Sequence, residues 1–373
     1  MFRAADKWLP GYLRHRRRLR GLPRPPAARH LIFCCADHFE PFGRGASRDD
    51  ALRITRRWAL EYPAAFGGFR DADGRPPRHT FFFPAEDYDA GVLDVLGGLC
   101  ARGMGEVEIH LHHRRDTAEG LREKLVAFRD RLHGAHSLLG TDAGGRVRYG
   151  FVHGNWALCN SRPDGDWCGV NEELAVLCET GCYADFTFPS APSPTQPRMV
   201  NSIYRAHDRP GRPRGHDQGE EIRAAGVRTA EVGDAGLMIV QGPLGLNWRR
   251  RKWGMFPRLE NGEITVVNPP TPDRMELWGR EHVHVRGRPE WVMVKVHTHG
   301  GVPGNAGVFL GGAMRQAHAY LQRRYNDGIA WRLHYVTARE MYNITRAAER
   351  GETGDPGVFR DYEIVPPPAA RGG

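Results

Sequence analysis

The stretch "LIFCCADHFEPF", residues 31–42, runs from apolar side chains straight into Asp37, His38 and Glu40. Other stretches end in the same way. "EVEIHLHHRRD" supplies His110, His112 and Asp116, "FVHGNW" supplies His153, Asn155 and Trp156, "YADFTF" supplies Asp185, and "VMVKVHTHG" supplies His297 and His299. Imidazoles and carboxylates together are the ligand set of a catalytic zinc or related divalent ion that keeps a coordination position open for water. Such an ion acidifies its water and polarises a carbonyl, while a nearby carboxylate takes the proton, so hydrolysis of an amide or ester is the expected chemistry.

Spacing sorts these residues into roles. Side chains alternate along a strand, so His110 and His112 share a face. His112 and Asp116 are four apart across a strand-to-helix turn and can reach one ion, although Asp116 reads equally as a helix cap with Glu119 three residues on. Asp37 and His38 face opposite sides of a regular strand, and a turn beginning here is expected to bring both into the pocket. Glu40 reads alternatively as a neutraliser of nearby arginine. His297 and His299 also share a face, and one of them is expected to act as a general acid or as a further ligand. His153, Asn155 and Trp156 read as pocket lining, with a ring for a sugar face and polar groups for its hydroxyls, and core packing explains Trp156 as well.

The elements that must present these groups follow from apolar periodicity. Residues 31–36 read as a fully buried strand, and 47–61 as a helix capped by Ser47 with Asp50 three residues on. "RHTFFFP" and "EVEIHLH" read as strands followed by helices over 88–102 and 117–132. "RVRYGFVHG" is followed by a helix in "NEELAVLCETG", with Asn171 as cap and Gly181 as stop. "GLMIVQG", "EITVVN" and "EWVMVKVHTHG" continue the strands, one long helix is expected over 305–325, and after "IAWRLHYV" a capping box of Thr337 and Glu340 opens the last helix. About seven strands alternating with helices predict an α/β fold with parallel strands, a (β/α) barrel in preference to an open doubly wound sheet. The strand ends of such a fold converge on one rim, which is where ligands and catalytic groups gather.

The remaining chain frames this core. Residues 1–29 form a basic extension, 30–350 the barrel with an insertion at about 190–235 rich in Pro, Arg and Gly, and 351–373 a tail expected to be a poorly ordered strap. In the insertion, "SAPSPTQP" offers Gln196 as part of a substrate wall. The net charge of +9 is almost wholly arginine, since Lys7, Lys124, Lys252 and Lys295 are the only lysines. No nucleic-acid-binding motif accompanies it, so no nucleic-acid partner is expected. No GxGxxG or P-loop pattern follows any strand, which leaves a dinucleotide or P-loop site without support. Trp8, Leu9, Tyr12 and Leu13 beside "RHRRRLR" have the composition of a segment that lies on an anionic bilayer, giving a peripheral membrane contact as an expectation. No secretory signal or apolar run of spanning length is present, and seven cysteines without a CxxC pair suit reduced thiols in the cytoplasm.

With the strand-end groups in order, the chain resembles the polysaccharide deacetylase superfamily, metal-dependent carbohydrate esterases with a distorted (β/α) barrel. In "CADHFE", Asp37 stands at the position of that family's base and His38 at its metal position. "EIHLHHRRD" matches its His-x-x-x-His motif, with His112 first and Asp116 where a second His is expected. "VKVH" matches the late motif that supplies an acid, giving His297. The resemblance implies catalytic Asp37 and His297, a Zn²⁺ held by His38, His112 and Asp116, and a substrate pocket of His110, His153, Asn155, Trp156, Asp185, Gln196 and His299. It implies removal of an N- or O-acetyl group from a sugar or oligosaccharide of cell-surface polysaccharide metabolism. Two metal positions have exchanged ligand types, Asp for His and His for Asp. A metal-independent glycoside hydrolase using Asp37 with Asp185 or Glu40, and a non-catalytic barrel that binds a glycan or partner, are the alternative readings.

Overall fold

The computed structural model describes residues 3–23, 28–225 and 236–370. Helix α1 (Ala5–Leu19) precedes β1 (Arg29–His38), α2 (Arg48–Phe66), β2 (His79–Pro84), α3 (Ala90–Ala101), β3 (Gly105–Leu111) and α4 (Ala118–His136). Next come β4 (Thr141–Asp142), β5 (Tyr149–His153), α5 (Glu173–Thr180), β6 (Cys182–Asp185), β7 (Ile203–Ala206), β8 (Glu220–Glu221) and β9 (Leu237–Val240). The chain closes with β10 (Gly245–Lys252), β11 (Phe256–Glu260), α6 (Pro272–Glu281), β12 (Trp291–Thr298), α7 (Pro303–Leu310), α8 (Gly312–Tyr325), β13 (Trp331–Val336), α9 (Ala338–Glu349) and β14 (Ile364–Val365).

The fold is mixed α/β around a ten-stranded, mostly parallel sheet ordered β12-β1-β2-β3-β5-β6-β9-β7-β8, with β13 also paired to β1. Only β7 runs against its neighbours β9 and β8. Between the two ends of this path, isolated bridges join Arg223 to Arg286 and Val283 to Met293, but no ladder of strands connects them among the described residues. Strand β1 explains why its sequence is apolar throughout. Leu31, Phe33 and Cys35 pack outward with Trp58, Leu93 and Phe309, while Ile32, Cys34 and Ala36 pack inward with Phe82, Val152, Met293 and Met341. A strand buried on both faces has no polar row until it leaves the core.

The local signals hold where a cap fixes the helix start. Ser47 and Asp50 form the capping box of α2, Thr337 and Glu340 that of α9, and Gly181 ends α5 with a left-handed backbone. Other expectations give way. The helix expected over 305–325 is two helices, broken at the extended backbone of Gly311. Asn171 does not cap α5, whose first turn follows Glu172 without a side-chain cap. "EITVVN" forms a single bridge at Glu263 rather than a strand. The described part of 190–235 is no detached lid, because β7 and β8 extend the sheet; residues 226–235 lie outside the described residues. Residues 351–365 are tied down, with β14 paired to β4 and Arg360 buried against Asp71 and Asp73, and residues 371–373 lie outside the described residues.

The basic start also differs from its expectation. Helix α1 turns Trp8 and Tyr12 into a small core with Ala191, Val200 and Leu244, and His15 Nε2 lies 2.7 Å from the Glu281 carbonyl. Arg18 donates to Glu221. The aromatic residues that would enter a bilayer are therefore buried in the protein's own core. No helix among the described residues is long and apolar enough to cross a membrane.

Candidate metal centre

Strand β1 stays regular to its last residue, and that regularity decides the site. His38 continues the inward row of Ile32, Cys34 and Ala36, while Asp37 points to the opposite, helix-covered face. Across the rim, β3 presents His110 from its inward row and the following His112, and β12 delivers His297 with His299 just beyond it. The His38 ring centroid lies 5.0 Å from that of His110, 4.8 Å from His299, 6.1 Å from His297 and 6.2 Å from Trp156.

The carboxylate of this group is Glu40, not Asp37. Glu40 Oε1 is 3.1 Å from His110 Nε2 and 3.6 Å from His112 Nε2. One ligand atom each from His38, Glu40 and His110 can be chosen so that all lie within 4.8 Å of one another. Among the described residues, His38 Nδ1 and His110 Nδ1 are buried without a hydrogen-bond partner, as is the indole N–H of Trp156. Buried polar atoms are almost always paired, so these unpaired imidazole nitrogens, on rings whose centroids are 5.0 Å apart, leave hydrogen-bonding or ligating capacity that the described protein groups do not use.

His112 sits at the mouth. Its Nδ1 lies 2.5 Å from Glu86 Oε1, and Glu86 also accepts from the His112 backbone N–H, which leaves Nε2 facing Glu40. Gly154 is what lets the imidazole lie there, because a Cβ at that position would overlap the His112 ring. Glu86, between β2 and α3, carries no sequence signal, since nothing in "PAEDYD" marks it as a partner of a residue twenty-six positions later.

Electrostatics separates the histidines. Burial, reinforced by His299 and His110, holds His38 well below the ordinary imidazole range, and burial with the Lys295 ammonium does the same to His297. Burial also lowers His110 in spite of the Glu40 hydrogen bond. At His112 burial works in the same downward sense, but Glu86, Glu40 and Asp87 outweigh it and raise the group. For Glu40 burial would raise the carboxyl, and the hydrogen bond and charge of His110 turn the shift downward. The rim thus sets the lowered, ligand-ready imidazoles of His38, His110 and His297 beside an ionised Glu40 carboxylate, with His112 shifted the other way at the mouth.

The other expected site residues lie elsewhere. Asp37 is wholly buried, with Oδ2 2.8 Å from His79 Nε2 and Oδ1 accepting from the Gly300 backbone N–H at 2.6 Å. A Cβ on Gly300 would collide with that carboxylate, so Asp37 fixes the backbone that follows His299 rather than facing the rim. Asp116 accepts from Lys124 Nζ at 2.7 Å and from the Thr117 backbone, and its Oδ2 lies 3.3 Å from His113 Nδ1. It belongs to the start of α4, whose cap is Thr117. His153 points outward beside His113, with ring centroids 4.7 Å apart. Asp185 is buried and accepts from the Thr187 hydroxyl at 2.6 Å. Lys295, which no motif singles out, donates to the carbonyls of Phe186 and Phe188 beneath the rim, and burial drives it and Asp185 toward their neutral forms. Gln196 is tied into its own loop, accepting from the backbone of Ser190 and Ala191. Asn155 and Trp156 remain at the rim, half-buried, each with a buried side-chain nitrogen unpaired among the described residues.

The arrangement can hold a divalent cation with two imidazoles and a carboxylate and still offer a face toward solvent through His112, Glu40 and Glu86. No protein-family model matches the chain, and no curated protein matches it.

Proposed function

We propose that the histidine rim binds a divalent metal, Zn²⁺ first, and that the chain uses it to hydrolyse the acetyl group of an N- or O-acetylated sugar. The observation that carries this reading is the meeting of His38, Glu40 and His110, with ring nitrogens left unpaired among the described residues. These three residues would hold the ion, which when bound supplies a Lewis acid and an acidified water. His297, kept neutral by burial and Lys295, is placed to accept a proton beside His38. His112, oriented by Glu86 and biased toward its protonated form, is placed to donate one to a leaving group at the mouth. Trp156 and Asn155 offer an apolar face and an amide to a sugar ring. Asp37 acts as a positioning residue through Gly300.

In this reading the sheet is a distorted barrel of the polysaccharide deacetylase kind, in which His38 keeps the first-strand metal position and His110 replaces the expected pair of His112 and Asp116. A sugar intermediate of cell-surface polysaccharide synthesis, met in the cytoplasm, is the substrate class that suits it. Both carboxylates of the glycosidase pair Asp37 and Asp185 are 0% exposed, which disfavours that alternative.

The test is acetate release from a panel of acetylated sugars by protein stripped of metal and then resupplied with Zn²⁺, Mn²⁺ or Co²⁺. Activity that returns with metal in the wild type and not in His38→Ala supports the proposal. Full metal content with no release from any sugar would replace it with a glycan-binding role, and turnover that survives stripping would remove the metal from the chemistry.

A further inference from the structure

We infer that the chain carries a second metal site, structural rather than catalytic, formed by His113, His153, Cys168 and Glu173. The four groups come from the loop after β3, the end of β5, the loop between β5 and α5, and the first turn of α5. All are at most 5% exposed, and one ligand atom from each lies within 4.8 Å of the others. Two imidazoles, a thiol and a carboxylate fit a four-coordinate structural zinc, and the two anions they provide would balance a divalent charge where water cannot.

Three features point to an ion rather than to a self-contained hydrogen-bond cluster. His153 Nε2 is wholly buried, 3.7 Å from Glu173 Oε1, and has no hydrogen-bond partner among the described residues. Cys168 Sγ accepts from the backbone N–H groups of Asn160, at 3.3 Å, and Val170, at 3.4 Å, and lies 3.3 Å from Glu173 Oε2; burial and the Glu173 charge push its thiol up to about 11, so the thiolate forms only with the ion that replaces its proton. His113 directs Nε2 to Glu173 at 3.1 Å, and its Nδ1, which makes no hydrogen bond among the described residues, lies 3.3 Å from Asp116 Oδ2. A carboxylate behind the far nitrogen is how metal-bound imidazoles are oriented. Asp116, expected as a ligand of the rim, thereby acquires a supporting role in the other site. By contrast, the buried pair His30 and His334 satisfies itself, with His30 Nδ1 2.9 Å from His334 Nε2 and His334 Nδ1 2.9 Å from Asp73.

Occupancy has a local consequence. Coordination through His153 Nε2 puts the proton on Nδ1, which now faces the Asn155 backbone N–H at 3.2 Å. That contact must loosen, so the loop carrying Asn155 and Trp156 shifts as the ion enters. The second site sets the position of the rim's aromatic wall.

The test loads the full chain with Co²⁺ and records absorption in the near ultraviolet, where a cobalt-bound thiolate gives a strong charge-transfer band and imidazole or carboxylate ligands do not. Wild type and His38→Ala are expected to show the band, and Cys168→Ser to lose it together with one bound ion per chain. Wild-type protein that takes up Co²⁺ without the band, or that binds none, would overturn the inference. Because the wild type and His38→Ala decide the outcome, a Cys168→Ser chain that fails to fold leaves the test intact, and loss of the rim ion alone would count only against the catalytic reading.

Discussion

Glu106 and His110 lie on the same inward row of β3, separated only by Glu108, yet their surroundings are opposites. Glu106 receives Arg339 at 2.8 and 3.0 Å and the Thr337 hydroxyl at 3.0 Å, with Arg78 3.5 Å away. Every strong valence there is met by protein. At the other end, His110 shares Glu40 with His112 and leaves Nδ1 unpaired among the described residues. A saturated cluster fixes the fold, whereas one with spare lone pairs is available to a ligand. Burial and charge alone would not tell the two ends apart.

The contrast breaks most visibly at its saturated end. Arg339→Met strands the Glu106 carboxylate and is expected to cost about 3–5 kcal/mol in urea unfolding, with metal content unchanged in the molecules that fold. A variant as stable as the wild type would show that the network is not what holds this end. At the rim, Glu86→Gln removes the charge that orients His112. Acetate release by the metal-loaded protein should fall by about 100-fold while bound metal and the urea midpoint barely move, and an unchanged rate would detach Glu86 from the site.

Glu108, between the two ends, sharpens the comparison most finely. It accepts from Tyr183 and from the Gly150 backbone, and burial pushes its carboxyl up to about 8. An unfolded chain releases that proton near 4.5 while the folded chain retains it, so wild-type stability falls as pH rises through the interval from 4.5 to about 8. Glu108→Gln should differ from the wild type by less than about 1 kcal/mol near pH 4 and then gain on it by up to about 1.4 kcal/mol per pH unit. Parallel pH profiles of the two proteins would mean that Glu108 is ionised when folded.

Much of this is legible in the sequence because the signals are local. The capping residues Ser47 and Thr337, the doubly buried β1, and the clustering of His and carboxylate at strand ends are all read from neighbours along the chain. The roles within the cluster are not. Whether Asp37 or His38 faces the rim depends on β1 staying regular for one more residue, and whether His110 or His112 meets Glu40 depends on the register between β1, β2 and β3. Lys295 and Glu86 act through residues distant in sequence, and the four groups around Cys168 are gathered by tertiary folding alone. The antiparallel strand β7 and the hairpin of β10 and β11 escape sequence analysis because β7 is only four residues long, β10 carries the run "RRRK" and β11 contains a proline, so none shows a clear alternation of polar and apolar residues.

Helix α1 emerges from the ribosome before any of its partners. Ala191, Val200, Leu244 and the Glu281 carbonyl follow it by well over a hundred residues, so Trp8 has no core to enter until most of the sheet exists. Its docking has high contact order and falls late in folding. Until then its aromatic and arginine residues are exposed together, and a nascent chain stalled before β10 presents Trp8 and Tyr12 beside Arg14 and Arg17 to chaperones or to an anionic surface, whereas the finished protein keeps those arginines exposed and buries the aromatic rings.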